Sequence, residues 1–403
     1  MSTAVVTGLG VVAPNGVGAG DYWAATLRGR SAIGRIDLFD VEDYPSRLGG
    51  VVTGFDAENH LPSRLLPQTD RMTRFALAAA DWAVADADID RSALAATDLG
   101  VSTASASGGF AFGQKELEHL CADGPSHVSV YQSFAWFYAV NSGQISIRHD
   151  MRGPIGVLVA DQAGGLDAIA HARRSVRKGA PLVLTGGMDS ALSPYGLAAL
   201  ISSGMLSTAD DPRHAYLPFD RKANGHVPGE GGAILTVEDG DCARERGAHV
   251  YGEIAGYAAT FDPSPGSGRP GNLGRAVRAA LADAGVGPDE VGVVFADAAG
   301  DADADRAEAE VIVDLFGPRG VPVTAPKTMT GRLYSGAGPL DVATALLSLR
   351  DKVIPPTVNV VADYALDLVE APRPLTASVA LVLARGRQGF NSALVVRAPR
   401  KES

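Results

Sequence analysis

The sequence predicts an α/β fold made of two similar, layered halves, and three observations lead to that prediction. Apolar runs rich in Val, Ile and Ala recur between amphipathic helical segments, as expected for strands buried on both faces. The 403 residues include 46% hydrophobic and only 20% charged residues, a composition typical of a large, well-buried protein. A short motif also repeats, because Gly164-Gly165-Leu166-Asp167 and Gly338-Pro339-Leu340-Asp341 each begin an Ala/Leu-rich helix. We therefore predict a duplicated fold with an N-terminal half over residues 1–245 and a C-terminal half over residues 246–403.

The individual elements follow from hydrophobic periodicity, taken in chain order. The predicted strands are Ala4 to Val12, Gly100 to Ser105, Gly156 to Val159, Leu182 to Thr185, Ala233 to Val237, Gly292 to Phe295, Pro322 to Thr324, Val379 to Leu383 and Ala393 to Arg397. The predicted helices are Asp21 to Leu27, Arg71 to Ala87, Ala163 to Arg177, Gly274 to Ala284, Arg306 to Phe316 and Leu340 to Leu349.

One glycine motif within the first strand has the spacing of a dinucleotide fingerprint. It runs from Gly8 to Ala13, but Pro14 and Gly16 follow it and cannot continue into the helix that would hold a pyrophosphate. We therefore predict a turn at this point and no nucleotide cofactor.

Composition excludes several classes of function. The formal net charge of −11 argues against binding to nucleic acid or to an anionic membrane, since both need basic patches. Cys121 and Cys242 lack the spacing of metal ligands, so we predict no metal site and no other cofactor. The N-terminus lacks the basic region of a secretory signal and no apolar stretch is long enough to span a bilayer, which predicts a cytoplasmic protein.

The segment from Val157 to Ala170 has the order of a strand, an elbow and a helix start that presents a catalytic nucleophile, yet the elbow residue is Gln162. A side chain at this position lies beside unpaired backbone N–H groups and the positive end of the helix dipole, which lower a thiol pKa and stabilise an oxyanion. An amide cannot act as a nucleophile. The segment is either a catalytic scaffold without its nucleophile or an ordinary strand-to-helix turn with a solvated glutamine. The local pattern alone favours the ordinary turn.

Several ordered stretches resemble the β-ketoacyl synthases of the thiolase-like superfamily. They are VVTGLGVVAPNG near the N-terminus, DRMTRFALAAADWA from Asp70, the elbow at Gln162, PFDRKANGHVPGEGGAILTVE from Pro218, PKTMTGRLYSGAG from Pro326 and GFNSALVV from Gly389. Because they cover almost the whole chain, the resemblance implies a thiolase-like fold of duplicated αβαβα halves.

In this family, active synthases use an elbow cysteine as acyl acceptor and two histidines that help to decarboxylate the malonyl extender. The resemblance places Gln162 on the cysteine, Asp297 on the first histidine and Arg332 on the second, while Lys327 and Glu308 remain at their family positions. An aspartate is an anion where an enolate needs a donor, and an arginine stays protonated.

The loss of the histidines can be checked on this chain alone. None of its eight histidines lies beyond His249, so the second half cannot supply the catalytic pair. The resemblance therefore implies a protein that cannot carry out condensation by itself.

Within the superfamily, Gln162 together with VSVYQSFAWFYAVNSGQISIRH and GRLYSGAGPLD resembles the chain length factors, or ketosynthase β subunits, of bacterial aromatic type II polyketide synthases. The resemblance implies a heterodimer with a ketosynthase α subunit that carries the cysteine and both histidines. It also implies that an acyl carrier protein delivers malonyl and polyketide thioesters. The growing poly-β-ketone would lie in a tunnel at the subunit interface, and this chain would form the far end of that tunnel.

Phe110, Gly113 and Leu117 recur at helical spacing and share one helix face. The resemblance implies that this face lines the tunnel, with Phe134 as a neighbour; an ordinary buried helix face is the alternative. Since Gly113 adds no side-chain bulk, it favours a longer product.

Aromatic residues crowd the stretch from Val130 to Val140. We expect Tyr131, Trp136 and Phe137 to contact the partner subunit, although such clusters also occur in cores.

Three functions remain open on the sequence. The first is a non-condensing subunit that sets polyketide length through tunnel volume. The second is a malonyl-acyl-carrier-protein decarboxylase that supplies an acetyl primer through Gln162, as in related loading ketosynthases, which keep the histidines that this chain lacks. The third is a stand-alone binding protein of thiolase fold.

Overall fold

The computed structural model describes residues 2–90, 94–264 and 266–399. The strands are β1 (Ala4–Ala13), β2 (Gly16–Val17), β3 (Ile33–Arg35), β4 (Leu48–Gly50), β5 (Leu99–Ala104), β6 (Ile155–Leu158), β7 (Leu182–Asp189), β8 (Gly231–Asp239), β9 (Gly252–Phe261), β10 (Val291–Phe295), β11 (Pro322–Thr324), β12 (Val353–Ile354), β13 (Asp367–Leu368), β14 (Arg373–Pro374), β15 (Val379–Arg385) and β16 (Phe390–Arg397). The helices are α1 (Ala19–Leu27), α2 (Arg71–Asp86), α3 (Phe110–Asp123), α4 (Gln132–Ala135), α5 (Val140–His149), α6 (Ala163–Arg177), α7 (Pro194–Ile201), α8 (Gly240–Glu245), α9 (Leu273–Ala284), α10 (Ala302–Phe316) and α11 (Ala337–Asp351). Over these described ranges, no helix combines the length and apolar character needed to cross a bilayer.

The main sheet confirms the predicted duplication. Its strand order is β13-β11-β10-β15-β16-β9-β1-β8-β7-β5-β6, with β2 added beside β1. Read from the centre outwards, β1-β8-β7-β5-β6 in the first half matches β9-β16-β15-β10-β11 in the second. Each half has the same directions as well, because the outer three strands of each set pair in parallel and the inner ones pair antiparallel. Strands β1 and β9 join the halves through the antiparallel pair of Val5 with Glu253.

Helices cover both halves in layers. Helices α6 and α11 contact each other and strands of both halves, so they form the middle layer and the largest apolar core. Helices α2 and α5 pack on the N-terminal half, and helices α9 and α10 pack on the C-terminal half. The predicted α/β fold with duplicated αβαβα halves is therefore observed.

The repeated glycine motif has a direct packing role in the middle layer. A Cβ atom on Gly165 would lie 2.3 Å from Cδ of Pro339, and one on Gly338 would lie 3.0 Å from Cγ of Leu166. Only glycine lets the first turns of α6 and α11 approach this closely. The motif is thus repeated because each copy supplies one side of the same helix crossing.

The predicted strands and helices occur, most of them with boundaries shifted by a few residues. The long strand β9, the short strands β2–β4 and β12–β14, and helices α4, α5, α7 and α8 were not predicted. Strand β9 reads GEIAGYAATF and lacks the Val/Ile run used to find the others. Its burial comes from α9, since a Cβ atom on Gly256 would lie 2.2 Å from the carbonyl oxygen of Ala280. At the start of the chain, Gly8 and Gly10 lie inside β1, and a turn at Pro14 leads into β2 as predicted.

Candidate functional site

A cavity of about 460 Å³ lies where β6 gives way to α6, and it contains the predicted elbow. Its buried end is polar and its mouth is formed by an exposed loop after β15. The lining residues are Ala106, Ser107, Phe110, Asp161, Gln162, Ala191, Ala199, Leu200, Ser203, Met205, His226, Asp262, Asp297, Ala299, Ala304, Arg332, Tyr334, Arg385, Gly386, Arg387, Gln388 and Gly389.

The elbow is present, but the strained residue is Asp161 rather than Gln162. Asp161 has a φ of 54°, in the left-handed region that aspartate tolerates better than most residues. Gln162 itself has helical angles, φ −60° and ψ −35°, and precedes the first residue of α6 without a side-chain capping hydrogen bond. The Asp161 carboxylate accepts a hydrogen bond of 2.8 Å from the backbone N–H of Arg387, and burial raises its pKa. The bend therefore directs Gln162 into the cavity.

The amide of Gln162 is held at both ends. With the amide oriented by its neighbours, Nε2 donates to the two carboxylate oxygens of Asp161 at 2.8 and 3.0 Å. Oε1 accepts from Nε and Nη2 of Arg332 at 3.0 and 3.2 Å. The residue is only 5% exposed, so the prediction of a solvated glutamine at an ordinary turn is wrong.

Asp297 and Arg332 form a buried ion pair beside Gln162. Arg332 Nη2 lies 3.1 and 3.2 Å from the two carboxylate oxygens of Asp297, and both residues are 3% exposed. Arg332 Nη1 donates to the backbone carbonyls of Asp297 and Ala298. Burial lowers the pKa of the guanidinium, but Asp297, Tyr216 and Asp161 together outweigh burial and the net pKa is raised. The structure thus brings Gln162, Arg332 and Asp297 together in one chain of hydrogen bonds.

Lys327 and Glu308 lie behind this group and do not line the cavity. Lys327 pairs with Asp341 at 2.7 Å and donates to the carbonyl of Ala296. Glu308 accepts from the backbone N–H of Asp297 at 2.7 Å, and burial raises its pKa. In this arrangement both side chains hold the backbone around the Asp297 position.

The four predicted tunnel residues occupy different environments. Phe110 lines the cavity and contacts the ring of Tyr195 edge-on, with the ring centroids 5.4 Å apart. Gly113 lies on α3 against Trp136, and Leu117 is 47% exposed. Phe134 packs against Tyr131.

Among the expected interface residues, Tyr131 is half-buried while Trp136 and Phe137 are exposed. Phe137 contacts Trp136 edge-on and Tyr138 at a tilt, with ring centroids 5.9 and 4.2 Å apart, and we call these three residues the aromatic surface.

Sequence reasoning missed Asp189, which positions the loop that leads to α3. Its buried carboxylate accepts from Ser105 Oγ at 2.7 Å, from the backbone N–H of Ala106 and from the backbone N–H of Ser335 at 2.9 Å. Burial raises its pKa to about 6. The sequence feature that could have identified Asp189 is its place at the end of a buried apolar strand, LVLTGGMD. A buried carboxylate there needs hydrogen-bond partners.

Comparisons with protein-family models and with known proteins agree with the resemblance found in the sequence. Residues 1–241 match the model of the β-ketoacyl synthase N-terminal domain, and residues 251–361 match that of the C-terminal domain. The chain is 60% identical over 398 residues to the actinorhodin polyketide putative β-ketoacyl synthase 2 of Streptomyces coelicolor, covering 98% of both chains. It is 61% identical over 399 residues to the tetracenomycin polyketide synthase ketoacyl synthase β subunit of Streptomyces glaucescens, again covering 98% of both.

Solved structures match as well. The ishigamide ketosynthase/chain length factor has a TM-score of 0.90 at 26% identity, covering 99% of this chain and 100% of that one. A type II polyketide synthase complex of an acyl carrier protein with its hexaketide-bound ketosynthase, AntDE:AntF, has a TM-score of 0.88 at 26% identity with the same coverage.

Proposed function

The chain belongs to the β-ketoacyl synthase family, among the ketosynthase β subunits of type II polyketide synthases, and we propose that it acts as a non-condensing chain length factor. The observation that carries this proposal is the buried Gln162–Arg332–Asp297 group at the elbow. It offers no thiol or hydroxyl nucleophile, and neither the Gln162 amide nor the Arg332 guanidinium acts as a general acid or base near neutral pH. The two thiols cannot substitute, because Cys121 and Cys242 are exposed and neither lines the cavity.

The same group argues against the decarboxylase alternative. An oxyanion organiser needs a donor that is free to meet the developing charge. The Gln162 amide N–H groups point at Asp161, and its oxygen is engaged by Arg332. We therefore expect Gln162→Ala and the wild-type chain to release carbon dioxide from malonyl-acyl carrier protein at the same background rate. A clear drop in the variant would favour the decarboxylase.

A condensing partner is required by this proposal, and two exposed features support a subunit interface. Among the residues that the structure describes, strand β6 pairs only with β5, and its Ile155 is 58% exposed. An apolar edge strand of this kind readily pairs with another chain. The aromatic surface supplies large side chains of the type enriched at interfaces. We infer that both contact a ketosynthase α subunit, with Tyr131 beside the aromatic surface.

Helix α3 supports the tunnel part of the proposal. Glu116 is its only buried residue, so this chain covers Phe110 and Gly113 only in part and leaves Leu117 exposed. A second subunit placed over this face would complete an apolar wall suited to a carbon chain. Phe134 on α4 would extend that wall.

Reconstitution tests the proposal directly. The chain, a ketosynthase α subunit and malonyl-loaded acyl carrier protein are combined, and the released polyketides are measured by mass spectrometry. We expect a product of defined length only when both subunits are present. Elongation by this chain alone would overturn the proposal, as would an unchanged product when the chain is omitted.

A further inference from the structure

Helix α3 carries the face that we assign to the tunnel, yet apolar packing does little to hold this helix in place. The structure describes all 14 of its residues, and Glu116, which has a charged side chain, is the only buried one among them. A helix in a folded protein is normally stabilised by the burial of its apolar face. The position of α3 therefore depends on other contacts.

Asp70, at the start of α2, makes the first of these contacts. Its carboxylate is 2% exposed and accepts hydrogen bonds from two helices. Oδ1 accepts from the backbone N–H of Met72 in α2 at 2.9 Å, and Oδ2 accepts from the backbone N–H of Phe112 in α3 at 2.8 Å. Both N–H groups lie in the first turn of a helix, where the helix itself provides no acceptor. One carboxylate thus joins the N-termini of two helices.

The contact between Asp70 and α3 is close and charged. A Cβ atom on Gly109, the residue before α3, would lie 2.8 Å from Cβ of Asp70. Burial raises the pKa of Asp70 to about 6, so the carboxylate is ionised above about pH 7. An ionised carboxylate is an acceptor at both oxygens, and hydrogen bonds to a charged group are about twice as strong as neutral ones. The charge therefore strengthens the link between the two helices.

Two side chains of α3 make further contacts of this kind. Gln114 Oε1 accepts from the backbone N–H of Tyr195, in the first turn of α7, at 2.9 Å. Glu116 accepts from the backbone N–H of Ser129, which precedes α4, at 2.6 Å. Helix α3 is thus fixed to α2, to α7 and to the segment before α4 by hydrogen bonds between side chains and backbone.

We propose that Asp70 and Gln114 are positioning residues, which hold α3 at a fixed place in the tunnel wall and so contribute to the choice of polyketide length. They act through α3, because any displacement of this helix moves Phe110 and Gly113 with it. A loosely held helix yields to the growing chain, so the loss of either contact should permit longer products. This inference rests on the proposed chain length function and adds a control of length besides the volume of the tunnel side chains.

Reconstitution with a substituted chain tests the role of Asp70. Asp70→Ser keeps a preferred N-cap residue for α2 but leaves no second oxygen for the N–H group of Phe112. The variant, a ketosynthase α subunit and malonyl-loaded acyl carrier protein are combined above pH 7, and the products are measured by mass spectrometry. Products longer than the main one should rise about threefold to tenfold relative to it, the factor that one hydrogen bond contributes to an equilibrium.

Asp305→Ser is the matched control. Asp305 is 1% exposed, and its two carboxylate oxygens accept from the backbone N–H groups of Phe219 and Gly300. This variant therefore loses a buried carboxylate of the same kind, but one that has no hydrogen bond to α3. It should leave the ratio of product lengths unchanged.

Gln114 provides a second test at a half-buried position, where a substitution carries little risk to folding. Gln114→Ala removes the acceptor for the N–H group of Tyr195 and should shift the products in the same direction as Asp70→Ser. Gln114→Glu keeps an acceptor at the N-terminus of α7, where a negative charge is favourable, and should retain the wild-type distribution. A general loss of stability would not produce this difference between alanine and glutamate. If Asp70→Ser does not fold, the two Gln114 variants decide.

Two results would overturn this inference alone. One is a wild-type ratio of lengths in both Asp70→Ser and Gln114→Ala, even with a lower total yield, because a merely structural role reduces the yield without changing the lengths. The other is an equal shift in Asp305→Ser. By contrast, a product that is unchanged when the chain is omitted would overturn the proposed function and this inference with it, so the two failures are distinguishable.

Discussion

Arg332 directs all three of its guanidinium nitrogens at protein acceptors. They donate to the Asp297 carboxylate, to the backbone carbonyls of Asp297 and Ala298, and to Gln162. In an active site, at least one of these groups would face substrate. At the residue scale, the charges of Arg332 and Asp297 therefore stabilise the interior of the protein and do not face a substrate. This is the arrangement expected of a subunit that does not catalyse condensation.

The structural role of Arg332 leads to a prediction about the free energy of unfolding. Arg332→Met should lower the free energy of unfolding by about 3–5 kcal/mol, because it leaves the Asp297 carboxylate buried without its partner. The double variant Arg332→Met/Asp297→Leu should recover much of the loss. Urea denaturation measures both, and Arg35→Met, which breaks an exposed ion pair with Glu42, provides a control expected to change stability by less than about 1 kcal/mol. Equal small effects at Arg332 and Arg35 would contradict the assignment.

A second residue-scale prediction concerns pH. Asp305 is 1% exposed, and burial together with the charge of Glu308 raises its pKa from 3.8 to about 7. The folded state thus binds this proton more tightly than the unfolded state does. The stabilisation is complete below about pH 4 and is lost as the pH rises through about 7.

Asp305→Asn removes this titration while keeping one acceptor for the backbone N–H groups of Phe219 and Gly300. Between pH 4 and 7.5, the wild-type chain should lose stability relative to the variant by a few kcal/mol, on the order expected for such a pKa difference. Titrating groups that do not interact with Asp305 cancel in the comparison. A stability difference that does not change with pH would refute the assignment to Asp305.

At the scale of elements, the sequence predicted a strand or helix correctly where the segment's own residues carry the hydrophobic pattern that buries it. Helix α6 begins and ends at the predicted residues, because its apolar periodicity is local. Strand β9 was missed because its burial is supplied by α9 rather than by its own Val or Ile content. The left-handed backbone angle of Asp161 was not predicted, and its carboxylate accepts a hydrogen bond from the distant backbone N–H of Arg387.

Helix α3 carries the prediction that concerns product length. A Cβ atom on Gly113 would lie 3.5 Å from Cβ of Trp136, an ordinary contact, so alanine is accommodated. A larger side chain must project beyond this contact into the space that we assign to the tunnel. Gly113→Phe should therefore shift the reconstituted heterodimer toward shorter polyketides, whereas Gly113→Ala should change the distribution little.

The matched control lies on the same helix. Lys115 is exposed and points about 200° away from Gly113 around the helix axis. Lys115→Phe adds the same ring on the other side and should leave the product distribution unchanged by mass spectrometry. Identical distributions for Gly113→Phe and the wild-type chain would remove α3 from the control of chain length.

At the scale of the whole molecule, the repeated motif predicted the duplication correctly because each copy serves the same helix crossing. The composition of the site was harder to foresee. The cavity gathers residues from the loops after β5, β6, β7, β10 and β15, and which side chains meet there depends on sheet order. The trio of Gln162, Asp297 and Arg332 was assigned through family resemblance, whereas the hydrogen bonds that join these three side chains could be recognised only in three dimensions.

The final prediction concerns assembly, because the main sheet ends at the apolar edge of β6. Ile155→Lys places a charge on this edge, and since Ile155 is 58% exposed the isolated chain should keep its unfolding temperature. If β6 lies at the interface, the lysine must be desolvated on association, and we expect the dissociation constant with a ketosynthase α subunit to rise at least about tenfold. Val361→Lys makes the same kind of change at a residue that is 73% exposed in the C-terminal half, and should leave association unchanged. Analytical ultracentrifugation of each variant mixed with the ketosynthase α subunit measures the two dissociation constants. Equal affinities for the two variants would mean that the heterodimer forms through another surface.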